Sequence, residues 1–336
     1  MTLPDKTGRQ PTAVQPTWTA RPERGSEWLL RLMYRIAMFA GRPIAGLFLW
    51  PIAAYFWLTS GPARADSARY LTRILGRTPK WRETYKHFHT FSIAILDRFY
   101  FLSHREREFK LTIFGEHFLQ DALKAHKGGF LVGGHLGTFE ALRSLGRGHD
   151  GLRVGMAMFE ENAHKIRRLL TAIDPSLLDD IIPLGHMDSM IQIQHRLEQG
   201  HFIGFLADRS FAHDATIPVD FLGSSAPFPT GAFRMASVMR RPVIFMTALY
   251  LGGNHYELHF DPLIDFTAAE RGGRSRMVAT AVKLFAERLE HYCRMAPYNW
   301  FNFYDFWAPR ANAGESPLPP ASASVSQHVA TSVERD

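Results

Sequence analysis

One stretch of this sequence places a proton acceptor where a reacting hydroxyl could reach it: FLVGGHLGTFEALRSLG, residues 130–146. A short apolar run reads as a buried strand and leads into a glycine turn carrying His135. An amphipathic helical pattern follows, with Glu140 in its first turns. A histidine at the carboxyl end of a strand projects into the crevice where open α/β sheets bind ligands. The five-residue step carries no weight by itself, because 16 histidines and 32 acidic residues in 336 positions supply such a match by chance. The setting is what matters. On a continuous helix, positions five apart lie about 140° apart and could not meet, whereas a turn before the helix lets Glu140 fold back on the imidazole. Glu140 would then hold one ring nitrogen as donor while the other accepts the proton of an alcohol. That alcohol could attack a thioester directly, with no enzyme nucleophile. Thr138 reads as the helix cap, and the backbone N–H groups of Gly133, Gly134 and Gly137 as donors to a developing oxyanion. The competing readings are a hydrogen-bonded turn histidine with no chemistry, the same pair activating water in a hydrolase, and a non-catalytic peripheral lipid-binding protein.

Other candidates are weaker. His255, Glu257 and His259 alternate as on a strand and share one face, which reads as a solvated sheet face; no metal site is expected. His87 and His89 sit two apart on a helical pattern and are expected at the surface. Ser224 and Ser225 lack the glycine pattern of a nucleophile elbow. No phosphate-binding loop or dinucleotide fingerprint occurs, so no cofactor is expected. The segment PYNWFNFYDFW, residues 297–307, is either terminal core packing or part of an acceptor groove.

The elements that would position His135 read as an α/β domain with a mixed, largely parallel central sheet flanked by helices, on an N-terminal helical membrane anchor. FKLTIF, GGFLVGG, LRVGMAM, DDIIPL, HFIGFLAD and PVIFMTALY read as strands. DALKAH, EALRSLG, NAHKIRRLLTAI, DSMIQIQHRLEQ and FRMASVMR read as the helices between them. A hairpin-like strand NHYELHF and a long helix from about Ala269 to Met295 close the domain. Upstream, Trp81 to Leu102 repeats Phe88, Phe91, Ile95 and Phe99 at helical spacing.

Residues 28–38 read as an amphipathic helix with Arg31 and Arg35 on its polar side, and residues 43–63 carry no charge. At about 1.5 Å per residue that run could just cross a hydrocarbon core of about 30 Å. Pro43, Pro51 and Pro62 fit equally with a kinked segment lying in one leaflet. Residues 1–25 and 311–336 read as disordered tails, 26–64 as the anchor and 65–310 as the catalytic domain. The formal charge of +7 and pI of about 9.6 favour anionic lipid or an acidic carrier protein. Nucleic acid is not expected, since no binding signature or Lys/Arg run is present. The single Cys293 excludes an intramolecular disulfide.

With VGGHLGTFE, the EQG turn before GFLADRS, the APFPTGAFRMA segment and the aromatic PYNWFNFYDFW in this order, the chain resembles the lipid A biosynthesis (lauroyl/myristoyl-type) acyltransferases. These sit within the wider His-x-x-x-x-Asp/Glu glycerolipid acyltransferase group, and the likeness runs from about residue 28 to 310. It implies transfer of a fatty acyl group from an acyl carrier protein or CoA thioester to a hydroxyl or amine of a lipid acceptor. It also implies a bacterial inner membrane location with the catalytic domain facing the cytoplasm. By it, His135 and Glu140 form the catalytic dyad, and Asp208 matches the family's aspartate after the central strand. One departure stands out: MFEENAHK carries Glu160 and Glu161 where the family has an arginine before an Asn-Pro pair, and Asn162 is kept without the proline. That weighs against a phosphosugar acceptor. Arg209, or Arg167 and Arg168, would supply the missing positive charge, with Arg209 favoured for its place at a strand end. Arg240 and Arg241 are candidates for docking an acidic carrier protein.

Overall fold

The computed structural model describes residues 27–124, 128–148, 152–159, 180–185, 187–209 and 214–308. A seven-stranded sheet forms its centre, built from β1 (Lys110–Phe114), β2 (Phe130–Gly133), β3 (Val154–Phe159), β4 (Ile181–Leu184), β5 (Phe202–Leu206), β8 (Pro242–Gly252) and β9 (His255–Asp265). The strand order is β1-β9-β8-β2-β5-β3-β4, parallel throughout except for the β8–β9 hairpin. The mixed α/β fold with a largely parallel sheet follows from the alternating sequence pattern.

Side-chain alternation along the strands divides the interior in two. Phe130, Val132, Val243 and Phe245 enter one apolar cluster, and Leu131, Ile244 and Met246 the other, as the period of two requires. The first cluster packs α2 (Gly61–Leu75), α6 (Met187–Glu198), α7 (Gly231–Met239) and α8 (Arg274–Met295). The second packs α1 (Glu27–Thr59), α3 (Trp81–Leu102), α4 (Glu116–Lys124) and α5 (Phe139–Gly148). Both sheet faces are therefore covered, as buried parallel strands demand.

Two details depart from the sequence reading, whereas the amphipathic stretch and the uncharged run are, as read, two helical halves of α1, separated where Gly41 takes a non-helical φ of 80° and ψ of 165°. Pro43 opens the second half, where a missing N–H costs little. An antiparallel pair, β6 (Thr216–Phe221) and β7 (Ser224–Pro229), was not expected, because Pro218, Pro227 and Pro229 mask its strand pattern. Leu222 and Gly223, both at positive φ, turn this hairpin. Finally, α2 separates α1 from α3, where no helix was expected. The helix expected over NAHKIRRLLTAI lies outside the described residues.

Candidate active site

His135 follows the end of β2, and its position is set by strand register. β2 and β5 are parallel neighbours with Gly133 opposite Leu206. Two residues further along each chain come His135 and Asp208, so the register carries them abreast at the carboxyl edge of the sheet. There the His135 Nδ1 lies 2.7 Å from Asp208 Oδ1, and the His135 backbone N–H donates to Asp208 Oδ2 at 2.8 Å. A third donor, the Trp300 indole N–H, reaches the same Oδ2 at 3.0 Å. Asp208 and Trp300 are buried, while the His135 side chain is 29% exposed.

With Nδ1 donating to the carboxylate, Nε2 is the nitrogen that can accept a proton from a substrate. Burial first, and then the charge of Arg209, hold the His135 imidazole below its ordinary value of 6.5, against the opposing pull of Asp208. For Asp208, burial would raise the carboxyl, but the charge and hydrogen bonds of His135, with Arg209, bring it down to about 2. Near neutral pH the pair is therefore a carboxylate holding a neutral imidazole, the protonation state that a general base needs.

Glu140 is not the group on the imidazole. It lies in the first turn of α5, where an acidic side chain suits the helix dipole, and its buried carboxylate ion-pairs with Arg98 of α3 at 2.8 Å. The Thr138 hydroxyl donates to its other oxygen at 3.2 Å. The imidazole is instead held by Asp208, because adjacent parallel strands put that residue beside His135 whereas α5 turns Glu140 toward α3. Arg98 nevertheless belongs to the same electrostatic group, since its charge also lowers the His135 basicity.

The turn is tightly fixed. Gly137, at φ 75°, has no room for a side chain, because a Cβ would sit 1.8 Å from the Ala248 carbonyl oxygen. Its N–H donates to the Asn299 carbonyl at 2.9 Å, so this N–H does not face a substrate. The N–H groups of His135 and Thr138 are likewise committed, to Asp208 and the Ala248 carbonyl. Gly134 makes space: a Cβ there would approach Leu289 at 2.9 Å and Asp208 Oδ2 at 3.2 Å. The oxyanion role expected of Gly137 is thereby corrected. The positive charges beside the imidazole are Arg98 and Arg209, the latter donating to the Phe301 carbonyl at 2.9 Å and lying over the Tyr304 ring. Asn162, Glu160, Glu161, Arg167 and Arg168 lie outside the described residues.

The aromatic C-terminal segment closes the site from above. Leu136 and Trp300 form an antiparallel bridge, and the Phe301 N–H donates to the His135 carbonyl at 2.8 Å. Trp300 is in turn held through its carbonyl by His87 Nε2 at 2.9 Å, and His87 Nδ1 meets the Ser67 hydroxyl at 2.9 Å. A carbonyl only accepts, so Nε2 carries the proton and Nδ1 accepts from Ser67. His87 is thus fully buried, not at the surface as its spacing suggested. Its neighbour in that pattern, His89, lies tilted against Trp50, with ring centroids 4.2 Å apart. Arg98 and Trp300 are site residues that the sequence reading did not single out, and no local pattern marks them. The one available signal was indirect: a carboxylate expected at a buried helix start calls for a cation elsewhere in the chain.

The remaining candidates have structural partners. His255 bonds Thr112 at 3.0 Å, and His259 Nε2 meets Glu257 at 3.3 Å. Ser224 accepts from Arg73 at 2.5 Å.

The model of the bacterial lipid A biosynthesis acyltransferases matches residues 17–308, which is most of the chain and includes every site residue described above. No curated protein matches the chain.

Proposed function

This chain belongs to the bacterial lipid A biosynthesis acyltransferase family, and on that premise we propose that it moves a fatty acyl group from an acyl carrier protein or CoA thioester to the hydroxyl of a lipid acceptor. The observation that carries the chemistry is the His135–Asp208 pair, with its Nε2 left for substrate. The acceptor hydroxyl gives its proton to Nε2 as its oxygen attacks the thioester carbonyl. The oxyanion forms beside Arg209 and Arg98, whose charges favour it in a partly dehydrated site. Its collapse expels the thiolate, which takes the proton from His135 and leaves as the free thiol. Asp208 holds the imidazole in the productive tautomer throughout. Glu140 serves by fixing Arg98.

The donor thioester meets His135 at the carboxyl edge of the sheet, whereas Arg240 and Arg241, expected to dock an acidic carrier protein, precede β8 at the opposite, amino edge, because Val243 of β8 lies beside Phe130 of the parallel β2. Glu160 and Glu161 in place of the family's expected arginine favour an acceptor whose recognition does not rest on a phosphosugar at that point. The proposed location is the bacterial inner membrane, with the catalytic domain on the cytoplasmic side.

The test is transfer of a radiolabelled acyl chain from acyl carrier protein to extracted bacterial lipids, followed by mass spectrometry of the product. His135→Ala should abolish transfer while the circular dichroism spectrum is unchanged. Full transfer by that variant overturns the mechanism, and release of free fatty acid without acylated lipid makes the protein a hydrolase.

A further inference from the structure

The outer face of α1 is apolar to a degree seen nowhere else in the described residues. Eight of the seventeen exposed large hydrophobic residues lie on this helix, among them Phe39, Leu47, Phe48, Trp50, Tyr55 and Leu58, with Phe39 91% exposed. Leu32–Thr59 contains an 18-residue window of mean hydropathy 1.5 and has the length to cross a membrane. Length and composition fit a crossing helix and a helix lying in the interface equally well.

The opposite face of α1 separates the two. It is fastened to α3, antiparallel, along most of its length. Tyr34 packs on Phe99, the Tyr100 hydroxyl donates to the Ala37 carbonyl at 2.7 Å, and Arg42 makes a two-pronged ion pair with buried Asp97 at 2.6 and 2.8 Å. Further along, the Tyr85 hydroxyl donates to the Trp50 carbonyl at 2.9 Å and the Trp57 indole to Thr84 at 3.0 Å. From Arg42 to Trp57, beyond the break at Gly41, this seam runs about 23 Å at about 1.5 Å per residue, so most of the uncharged run is committed to α3. α3 cannot follow α1 through a bilayer. It carries Glu83, Lys86, Asp97 and Arg98, donates the His87 hydrogen bond to Trp300, and packs its other side into the catalytic domain. A crossing α1 would have to tear away from α3 or pull these charges into hydrocarbon.

We propose that α1 lies in the plane of one leaflet of a bilayer containing anionic lipid, its apolar face sunk among the acyl chains, and does not cross the membrane. The charges fit that placement. Arg35 is exposed near one end of the apolar face, and Arg82 is exposed at the other, with its guanidinium over the exposed Trp81 ring. Indole rings and arginines are the groups that settle at headgroup depth. The catalytic crevice then stands one helix away from the leaflet, because α3 touches α1 on one side and supplies Arg98 to the site on the other. A lipid acceptor could present its hydroxyl without leaving the membrane.

This inference rests on the membrane location proposed above, and the sole cysteine, Cys293, is buried, which makes introduced cysteines clean reporters. Glu27→Cys and Ser60→Cys, at the two ends of α1, are each labelled with a membrane-impermeant maleimide in right-side-out and inside-out vesicles from expressing cells. Both should react from the same side; reaction from opposite sides overturns the proposal. In parallel, purified full-length protein is sedimented with phosphatidylethanolamine–phosphatidylglycerol vesicles. Phe39→Asp combined with Leu47→Asp should weaken partitioning at least tenfold while thermal unfolding stays cooperative, and unchanged partitioning also overturns it. Transfer to a detergent-dispersed acceptor is read separately: wild-type protein that transfers nothing there defeats the enzymatic reading and leaves the topology result standing.

Discussion

Asp208→Asn isolates the role of the carboxylate with almost no change in shape. In the native site, two oxygens receive three donors: Oδ1 takes His135 Nδ1–H, and Oδ2 takes the His135 backbone N–H and the Trp300 indole. An amide has only one oxygen. Placed at the Oδ2 position, it keeps two of the three donors satisfied and turns its NH₂ toward Nδ1, which must then accept. The imidazole proton moves to Nε2, and the general base becomes a donor facing the substrate. The opposite rotamer keeps the tautomer but sets NH₂ against two buried N–H groups, costing about 1–3 kcal/mol for each donor left unsatisfied. The first arrangement wins, so the loss falls on catalysis. General-base assistance contributes roughly 10²–10⁴-fold, and kcat should fall by that factor, about 3–5 kcal/mol of barrier. KM should change little. Loss of the charge-assisted bond should also lower stability by about 1.5–3 kcal/mol. Steady-state transfer assays give kcat and KM, and side-chain ¹⁵N shifts report which ring nitrogen carries the proton. Should Asp208→Asn keep the wild-type kcat, or lose less than Glu140→Gln, the assignment of Asp208 as the orienting group is wrong.

Three further outcomes are expected. Because burial and Arg209 both depress His135, the acid limb of the kcat/KM profile should have its midpoint below 6.5, activity being lost as falling pH protonates the base. Arg209→Gln should move that midpoint upward and lower kcat by about 10²-fold; an unmoved midpoint would show that Arg209 does not act on the imidazole. Arg98→Met and Glu140→Gln should each lower kcat, with the double variant no worse than the poorer single one, and a coupling of about 0.5–3 kcal/mol in stability. Strictly additive effects would mean that Glu140 acts apart from Arg98. Burial pushes His87 down to about 4, despite its bond to the Trp300 carbonyl, so the unfolded chain binds a proton between pH 6.5 and 4 that the folded chain does not. Stability from this group is full above pH 6.5 and lost as pH falls, by about 3 kcal/mol at pH 4. His87→Gln should flatten the pH dependence of urea unfolding over that window by a comparable amount.

Much of the architecture was legible because it rests on local periodicity. The strands of the central sheet, the α3 pattern from Trp81 to Leu102 and the strand–turn–helix around His135 are each encoded within a few neighbouring residues. The β6–β7 hairpin was not, since its prolines contradict strand preference and only packing on the domain overrides them. α1 was legible in its two halves, an amphipathic stretch and an uncharged run, because Gly41 and Pro43 mark the break between them.

The sequence by itself determined that His135 ends a strand in a glycine turn, that an acid follows in the helix, and that this ordered set of motifs belongs to one acyltransferase family. Only the tertiary structure decided which carboxylate touches the imidazole. Glu140 is near in sequence, but α5 carries it to Arg98, while Asp208, 73 positions downstream, arrives beside His135 through the register of two parallel strands. Strand pairing is set by contacts between distant segments, and no window around His135 contains that information. The burial of His87 and the third donor from Trp300 were decided in the same way, by chain segments that meet only when the sheet has formed.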